Sequence, residues 1–153
     1  MAQPVSGLEA HLGYWLRYVS NAVSGAFAAR LAAANVSVAE WVVLRVLFDA
    51  GAEGMNASEV AERIGMTRGG ISKIVARLEA QSLLDRTVDE ADRRRQGLAL
   101  TRTGRALVPR LAALADANDE AFFGALSSTE RKTLDRLLRR LVQAHGLSDV
   151  PVE

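Results

Sequence analysis

The sequence predicts a mainly α-helical fold that carries one small β-hairpin. Alanine, leucine and arginine dominate and aromatic residues make up only 5%, a balance that favours helices because straight side chains lose little rotamer freedom there. Apolar residues recur at helical spacing through most of the chain, and one middle region instead shows two short strand-like runs. At 153 residues we expect a single domain over residues 1–153.

Composition limits the possible sites and partners. The chain has no cysteine, which excludes disulfides, thiolate zinc sites, iron–sulfur clusters and thiol-based sensing. Without a secretory signal or an apolar run near the ~20 residues of a membrane span, we expect a cytoplasmic protein with no membrane partner. The formal charge is only +1, but residues 56–105 hold ten arginines and lysines against seven acids, a net +3. The basic excess therefore lies in the middle of the chain.

The first predicted helix is long and ends near Asn35, where the apolar periodicity stops. Ser37 and Glu40 then form a capping-box sequence, in which two side chains satisfy orphan backbone amides reciprocally. This signal predicts a second helix from about residue 38 to residue 50, ended by Gly51. The apolar stripe of the first helix consists of Leu8, Leu12, Trp15, Val19, Val23, Phe27 and Leu31.

Two further helices are predicted around a tight glycine turn. Asn56 caps the third helix, which should end near Ile64 because Gly65 supplies a left-handed C-terminal position. Thr67 caps the fourth helix, predicted over residues 68–81. Its inward residues are Ile71, Ile74, Val75 and Leu78, and its outer face presents Arg68, Ser72, Lys73 and Arg77.

A β-hairpin with an arginine-rich tip is predicted next. Residues 83–88 and 97–101 have strand-like sequences, and residues 89–96 between them are too charged to pack internally. Thr101 then caps a fifth helix, in which Pro109 should cause a kink. A sixth helix is predicted over residues 128–145. The apolar stripes of these two helices are Leu107, Leu111, Leu114, Phe122 and Leu126 in the fifth, and Leu134, Leu137, Leu138, Leu141 and Val142 in the sixth.

The order of these elements is that of a winged helix-turn-helix. Such a unit places its second helix in the major groove of DNA, and a basic hairpin beside it reaches the flanking minor groove. A helix-turn-helix sequence alone is more often an ordinary helix pair, and a charged hairpin alone is more often a solvated surface. Their adjacency favours DNA binding.

Three segments resemble the MarR (multiple antibiotic resistance regulator) family. The wing sequence Asp92-Arg93-Arg94, followed by Leu98-Ala99-Leu100-Thr101 and Gly104, is similar to the family's Asp-x-Arg and Leu-Thr-x-x-Gly signature. Residues 66–73 and 75–79 are similar to its recognition helix and the turn before it. The resemblance implies a ligand-responsive regulator, a repressor that acts as a homodimer on a pseudo-palindromic operator in double-stranded DNA. It also implies a winged helix-turn-helix core at about 37–105 and dimerisation helices at about 8–35 and 106–146.

Candidate DNA contacts follow from position on the fourth helix and from this resemblance. Thr67 and Arg68 suit phosphates, because a helix N-terminus offers free amides and a favourable dipole. Ser72, Lys73 and Arg77 lie further along the exposed face, within reach of base edges or phosphates. By resemblance Arg94, between Arg93 and Arg95 in the basic tip, enters the minor groove and Asp92 braces the wing. The alternative for Asp92 is a simple turn residue.

A candidate effector pocket is marked only weakly. Members of the family bind small aromatic anions between the dimerisation helices and the winged unit. The residues that would line such a pocket for an aromatic or phenolic effector are His11, Trp15, Tyr18, Trp41 and Arg45. The alternative is that these aromatic residues belong to the core or to an interface.

The sequence predicts no enzyme, cofactor or metal site. It contains no phosphate-cradling loop, nucleophile elbow or metal-binding helix motif, and its two histidines lie near opposite ends. The remaining alternative is a winged-helix module that binds a protein partner and not DNA. Such a wing would carry apolar anchors at its tip, and residues 89–96 have none.

Overall fold

The computed structural model of the chain describes residues 5–88, 96–148 and 150–152. Over those ranges it contains six α-helices and one three-stranded antiparallel sheet, which confirms the predicted mainly α fold with a β-hairpin. A short 3-10 helix, Leu8–Ala10, precedes α1. The elements are α1 (Leu12–Ala33), α2 (Val38–Ala50), β1 (Met55–Asn56), α3 (Ala57–Ile64), α4 (Arg68–Ala80), β2 (Leu84–Val88), β3 (Gln96–Leu100), α5 (Arg102–Phe123) and α6 (Ser128–Ala144).

The predicted start of the first helix at Leu8 is wrong. Extended backbone at His11 separates the 3-10 helix from α1, so Leu8 is not on the α1 stripe. The helix ends as predicted, with Asn35 in the left-handed region at φ 58°. Leu31 is the buried end of the stripe, whereas Leu12 is 87% exposed. In a single chain, most of this apolar stripe has no partner to cover it.

The predicted capping signals are confirmed. Ser37 Oγ accepts the Glu40 amide and Glu40 Oε2 accepts the Ser37 amide, at 3.2 and 2.7 Å, so α2 begins at Val38. The same reciprocal pair begins α6, between Ser127 and Glu130. Each helix begins where its cap supplies acceptors for amides that the helix itself leaves free.

The sheet has the order β1-β3-β2. Strands β2 and β3 form the predicted hairpin, in which Leu84 lies opposite Leu100 and Thr87 opposite Gly97. Strand β1 was not predicted, because two residues are too short to show an alternating pattern; Met55 pairs with Leu98 on the open edge of β3. The hairpin is therefore attached to the segment that leads into α3.

The core lies among α2, α3, α4, the sheet and the first half of α5. Its large, fully buried side chains include Leu44, Leu47, Ile64, Ile71, Leu78, Leu84, Leu98 and Leu111. Helix α5 continues through Pro109, so the proline does not end it, and a kink there stays a prediction. Helix α6 has no buried residue at all. Its apolar stripe, like that of α1, lies open in the single chain.

No single helix in the described ranges is long and apolar enough to cross a membrane. Helices α1 and α2 together meet that length and composition, but they are bent by 76° at their junction. Among the same residues, no cluster of three or more His, Asp or Glu side chains is arranged to hold a metal ion.

Candidate nucleic-acid interface

Two helices and a tight turn form the centre of the candidate interface. Gly65 ends α3 in the left-handed conformation, at φ 78°, and its amide donates to Ala61 O at 2.9 Å. Two residues later Thr67 caps α4, with Oγ1 accepting the Gly70 amide at 3.1 Å. Thr67 and Arg68 are exposed, so the N-terminus of α4 faces solvent. An exposed helix N-terminus attracts anionic groups such as phosphates.

Helix α4 has one buried and one exposed face. Ile71, Val75 and Leu78 are buried as predicted, and Ile74 is half-buried. Successive residues are about 100° apart around a helix, which puts Gly69 and Ala76 at the centre of the exposed face. Ser72 and Lys73 lie on either side of this centre line. A surface without bulky side chains at its centre allows close approach of a partner.

The polar side chains of this face differ in what they still offer a partner. Ser72 Oγ donates to Arg68 O at 2.9 Å, which uses its hydrogen and leaves the hydroxyl as an acceptor. Lys73 is exposed and makes no ion pair with any carboxylate of the described chain. Its three ammonium donors therefore remain free for phosphate or base acceptors.

Arg77 is on this face but is already engaged. Its Nε lies 2.8 Å from Glu40 Oε1, with the Arg77 side chain 56% exposed and that of Glu40 3% exposed. The sequence marked Arg77 as a DNA contact and Glu40 only as a capping residue. No local pattern signals the pair, because 37 positions separate the two residues in the chain.

The base of the wing is tied to the rest of the interface by side-chain contacts. Arg86 of β2 donates from Nε to Glu79 Oε1 of α4 at 2.9 Å. Thr101 Oγ1 donates to Ser82 O at 2.7 Å and accepts the Gly104 amide at 3.0 Å. These bonds fix both ends of the hairpin relative to α4 and α5. The candidate tip residues Asp92, Arg93, Arg94 and Arg95 lie outside the described residues.

Gly104 has a packing role that its place in the wing signature did not reveal. A Cβ atom added there would overlap the carbonyl group of Leu83, just before β2. The backbone of α5 therefore lies directly against the hairpin, and a larger residue would push the two apart. Only glycine permits this approach.

The candidate effector residues fall into two groups on different helices. At the start of α1, Trp15 Nε1 donates to Glu9 O at 2.9 Å. The ring centroid of Tyr14 lies 5.2 Å from that of Trp15 and 6.2 Å from that of Tyr18. Both Trp15 and Tyr18 are exposed, as is His11.

The other two candidates, Trp41 and Arg45 on α2, contact other residues of the chain. Trp41 packs against the core, while Arg45 pairs with Asp49 at 3.1 Å and lies over the Phe48 ring at 5.7 Å. A cleft of about 280 Å³ between α1 and α5 is lined by other residues, among them Arg30, Leu107 and Arg110. The pocket thus stays a prediction.

Sequence reasoning also missed a buried amide between α1 and α5. Asn118 is 2% exposed, and its Nδ2 donates to Val23 O at 3.2 Å. Its Oδ1 is buried with no partner among the described residues. The available signal was a polar side chain on the otherwise apolar inner stripe of α5.

The family model described as "MarR family" matches residues 34–95. A putative transcriptional regulatory protein for the hcr operon of Thauera aromatica is 32% identical over 143 residues, which cover 92% of this chain and 85% of that protein.

Two solved structures are similar over almost the whole chain. CouR from Rhodococcus jostii RHA1, bound to p-coumaroyl-CoA, is 31% identical with a TM-score of 0.73, and the match covers 90% of this chain and 95% of that one. Bordetella bronchiseptica BpsR, whose DNA binding is regulated by 6-hydroxynicotinic acid, is 29% identical with a TM-score of 0.74. The match covers 91% of this chain and 97% of that one.

Proposed function

Because this chain belongs to the MarR family of transcriptional regulators, we propose that it is a ligand-responsive repressor that binds double-stranded DNA as a homodimer. The observation that carries the DNA-binding part is α4, whose capped N-terminus and polar outer face are exposed next to the hairpin. The proposed binding unit spans about 37–105, between dimerisation helices at about 8–35 and 106–146. A regulator of this kind acts in the cytoplasm and needs no enzymatic activity, cofactor or metal.

The proposed DNA contacts divide into positioning and reading roles. Thr67, Arg68 and the first amides of α4 bind phosphate, because they combine free donors with the positive end of the helix dipole. Ser72 and Lys73 face the floor of the major groove, one as an acceptor and one as a donor. In the wing, Arg94 enters the minor groove with Asp92 as its brace, and Arg93 and Arg95 add phosphate contacts.

The proposed homodimer is supported by the open apolar stripes of α1 and α6. Leu12, Trp15 and Val19 on α1, and Leu138 and Leu141 on α6, are all between 39% and 87% exposed in the single chain. Exposed stripes of this extent at both ends of one short chain are covered when a second copy packs against them. A two-fold dimer also presents two copies of α4 to the half-sites of a pseudo-palindrome.

The proposed effector is a small aromatic carboxylate or phenol. The aromatic group of α1, with His11, Trp15 and Tyr18, is left exposed in one chain, and Trp41 and Arg45 lie on α2. A partner subunit would enclose the α1 group and complete a pocket. By linkage, an effector that prefers a dimer with differently spaced α4 helices lowers DNA affinity.

The experiment that tests DNA binding uses the full chain and its Arg94→Ala variant. Genomic fragments retained by the purified protein at physiological salt are sequenced, and the enriched duplex is then titrated by fluorescence anisotropy across a salt series. The wild type should enrich one pseudo-palindromic sequence. Arg94→Ala should weaken binding and reduce the slope of log affinity against log salt by about one.

The competing hypothesis is the winged-helix module that binds a protein partner. If the wild type enriches no sequence, sequence-specific DNA binding is refuted. If Arg94→Ala keeps wild-type affinity and salt slope, the wing does not contact DNA. Either result favours the protein-binding hypothesis. Asp92→Ala provides the matched comparison. If Asp92 only positions Arg94, Asp92→Ala should reduce DNA affinity as much as Arg94→Ala does, and the double variant should bind no more weakly than either single variant.

A further inference from the structure

The Glu40 carboxylate is buried at the point where α2 meets α4. Oε2 accepts the Ser37 amide at 2.7 Å, and Oε1 lies 2.8 Å from Nε of Arg77 in the last turn of α4. The two oxygens therefore have partners on two different segments of the chain. One is at the corner between α1 and α2, and the other is on the helix that we propose reads DNA.

The other capping boxes of the chain indicate that burial is not needed for capping. Glu59 and Glu130 cap α3 and α6 with the same geometry, and both are exposed. Removing a carboxylate from water is costly unless it gains a paired cation and hydrogen bonds. Glu40 alone of the three has a cation from another helix. Its burial therefore serves the contact with Arg77 and not the cap.

Arg77 is also poorly placed to read bases. It lies nine residues after Arg68, which is about 14 Å further along the helix axis, and about 90° from the line through Gly69 and Ala76. In helix-turn-helix proteins the first turns of the recognition helix contact base edges. At its position, the guanidinium faces the α2 side of α4.

We propose that the Glu40–Arg77 pair fixes the angle of α4 on α2, so that both are positioning residues for sequence-selective DNA binding. This inference rests on the proposed function. The pair makes Ser37, at the end of the α1–α2 corner, and the last turn of α4 parts of one hydrogen-bonded and ionic unit.

The test compares Glu40→Gln, Arg77→Met and the double variant with wild type on a duplex selected by the wild-type protein from a random pool. Glutamine keeps an oxygen for the Ser37 amide but removes the charge that holds Arg77; methionine keeps the length of the arginine stem without its charge. Each single variant should lose about tenfold in affinity for the selected duplex, or about 1.4 kcal/mol. Affinity for an unselected duplex should change by less than about twofold, because phosphate contacts dominate there.

Two further readouts separate positioning from direct contact and from simple loss of stability. The salt slope should stay at the wild-type value in all three variants, and the double variant should bind no worse than either single. In thermal unfolding, Arg77→Met should be the least stable because it leaves Glu40 buried and unpaired, and the double variant should recover. Arg136→Met, an exposed arginine of α6, is the matched control and should match wild type on both duplexes.

The inference is overturned if Arg77→Met alone weakens binding and reduces the salt slope by about one, because Arg77 then contacts a phosphate directly. It is also overturned if both singles keep the full preference for the selected duplex. If the wild-type protein selects no duplex, the proposed function is refuted and this inference with it. If the wild type selects a duplex and the variants keep its selectivity, only the inference is refuted.

Discussion

Replacing Gly69 by alanine should stabilise the protein and weaken its binding to DNA. A Cβ atom at Gly69 meets no atom within 4 Å, so the methyl group fits the folded chain without strain. Alanine is favoured over glycine inside a helix by about 0.5–1 kcal/mol. For a chain of this size that corresponds to a rise of about 1–4 °C in Tm at fixed protein concentration.

The loss of affinity follows from where that methyl group points. Gly69 lies in the first turn of α4, at the centre of its exposed face, where the proposed DNA backbone or groove edge comes closest. A methyl group forced into a packed contact costs about 1–3 kcal/mol, so affinity for the selected duplex should fall by about tenfold to a hundredfold.

Gly25→Ala is the matched control. Gly25 is an exposed residue of α1, and a Cβ atom there also meets no atom within 4 Å. It should gain about as much stability as Gly69→Ala and bind DNA within about twofold of wild type. Differential scanning calorimetry and fluorescence anisotropy measure the two effects. A stabilised Gly69→Ala protein with wild-type affinity would refute a close approach of DNA to this turn.

Three other changes test the joint between hairpin and α5, the α6 cap and the dimer face. Gly104→Ala should destabilise the chain by about 2 kcal/mol in thermal unfolding, since its Cβ would overlap the Leu83 backbone; a Tm equal to wild type would contradict this packing. Hydrogen bonds from the Ser127 hydroxyl and amide lower the pKa of Glu130. Its stabilising effect is therefore present above about pH 4.5 and is lost as pH falls through the lowered pKa, so the Tm difference between wild type and Glu130→Gln should shrink as the pH falls below about 4.5. Leu141→Glu should weaken self-association in sedimentation equilibrium at low micromolar concentration, whereas Arg140→Glu on the opposite face of α6 should not; a wild-type monomer there would remove the dimer altogether.

The parts of the fold that the sequence predicted correctly depend on short-range chemistry. Ser37 with Glu40, and Gly65 followed by Thr67, fix helix ends through bonds between residues three or four apart, and they predicted α2 and the start of α4 to the residue. Strand β1 was missed because its pairing with β3 is formed by residues more than 40 positions away.

The candidate site was less predictable for the same physical reason. Periodicity placed Arg77 on the outer face of α4, but only tertiary packing brings Glu40 to it. The contact of Asn118 with Val23 joins residues 95 positions apart. The apolar stripe of α1 illustrates a different limit, because helical spacing identifies an apolar face without distinguishing a face buried in the core from one that a partner covers.

The open stripes of α1 and α6 make folding and assembly parts of one equilibrium. When two chains unite to bury these faces, the dissociated chain must return them to water, and its stability then depends on how much protein is present. Each tenfold dilution reduces the free energy available to the assembled form by about 1.4 kcal/mol. On the proposed function, the fraction of chains able to bind an operator then depends on the concentration of the protein as well as on an effector, so its targets escape control below a threshold of expression.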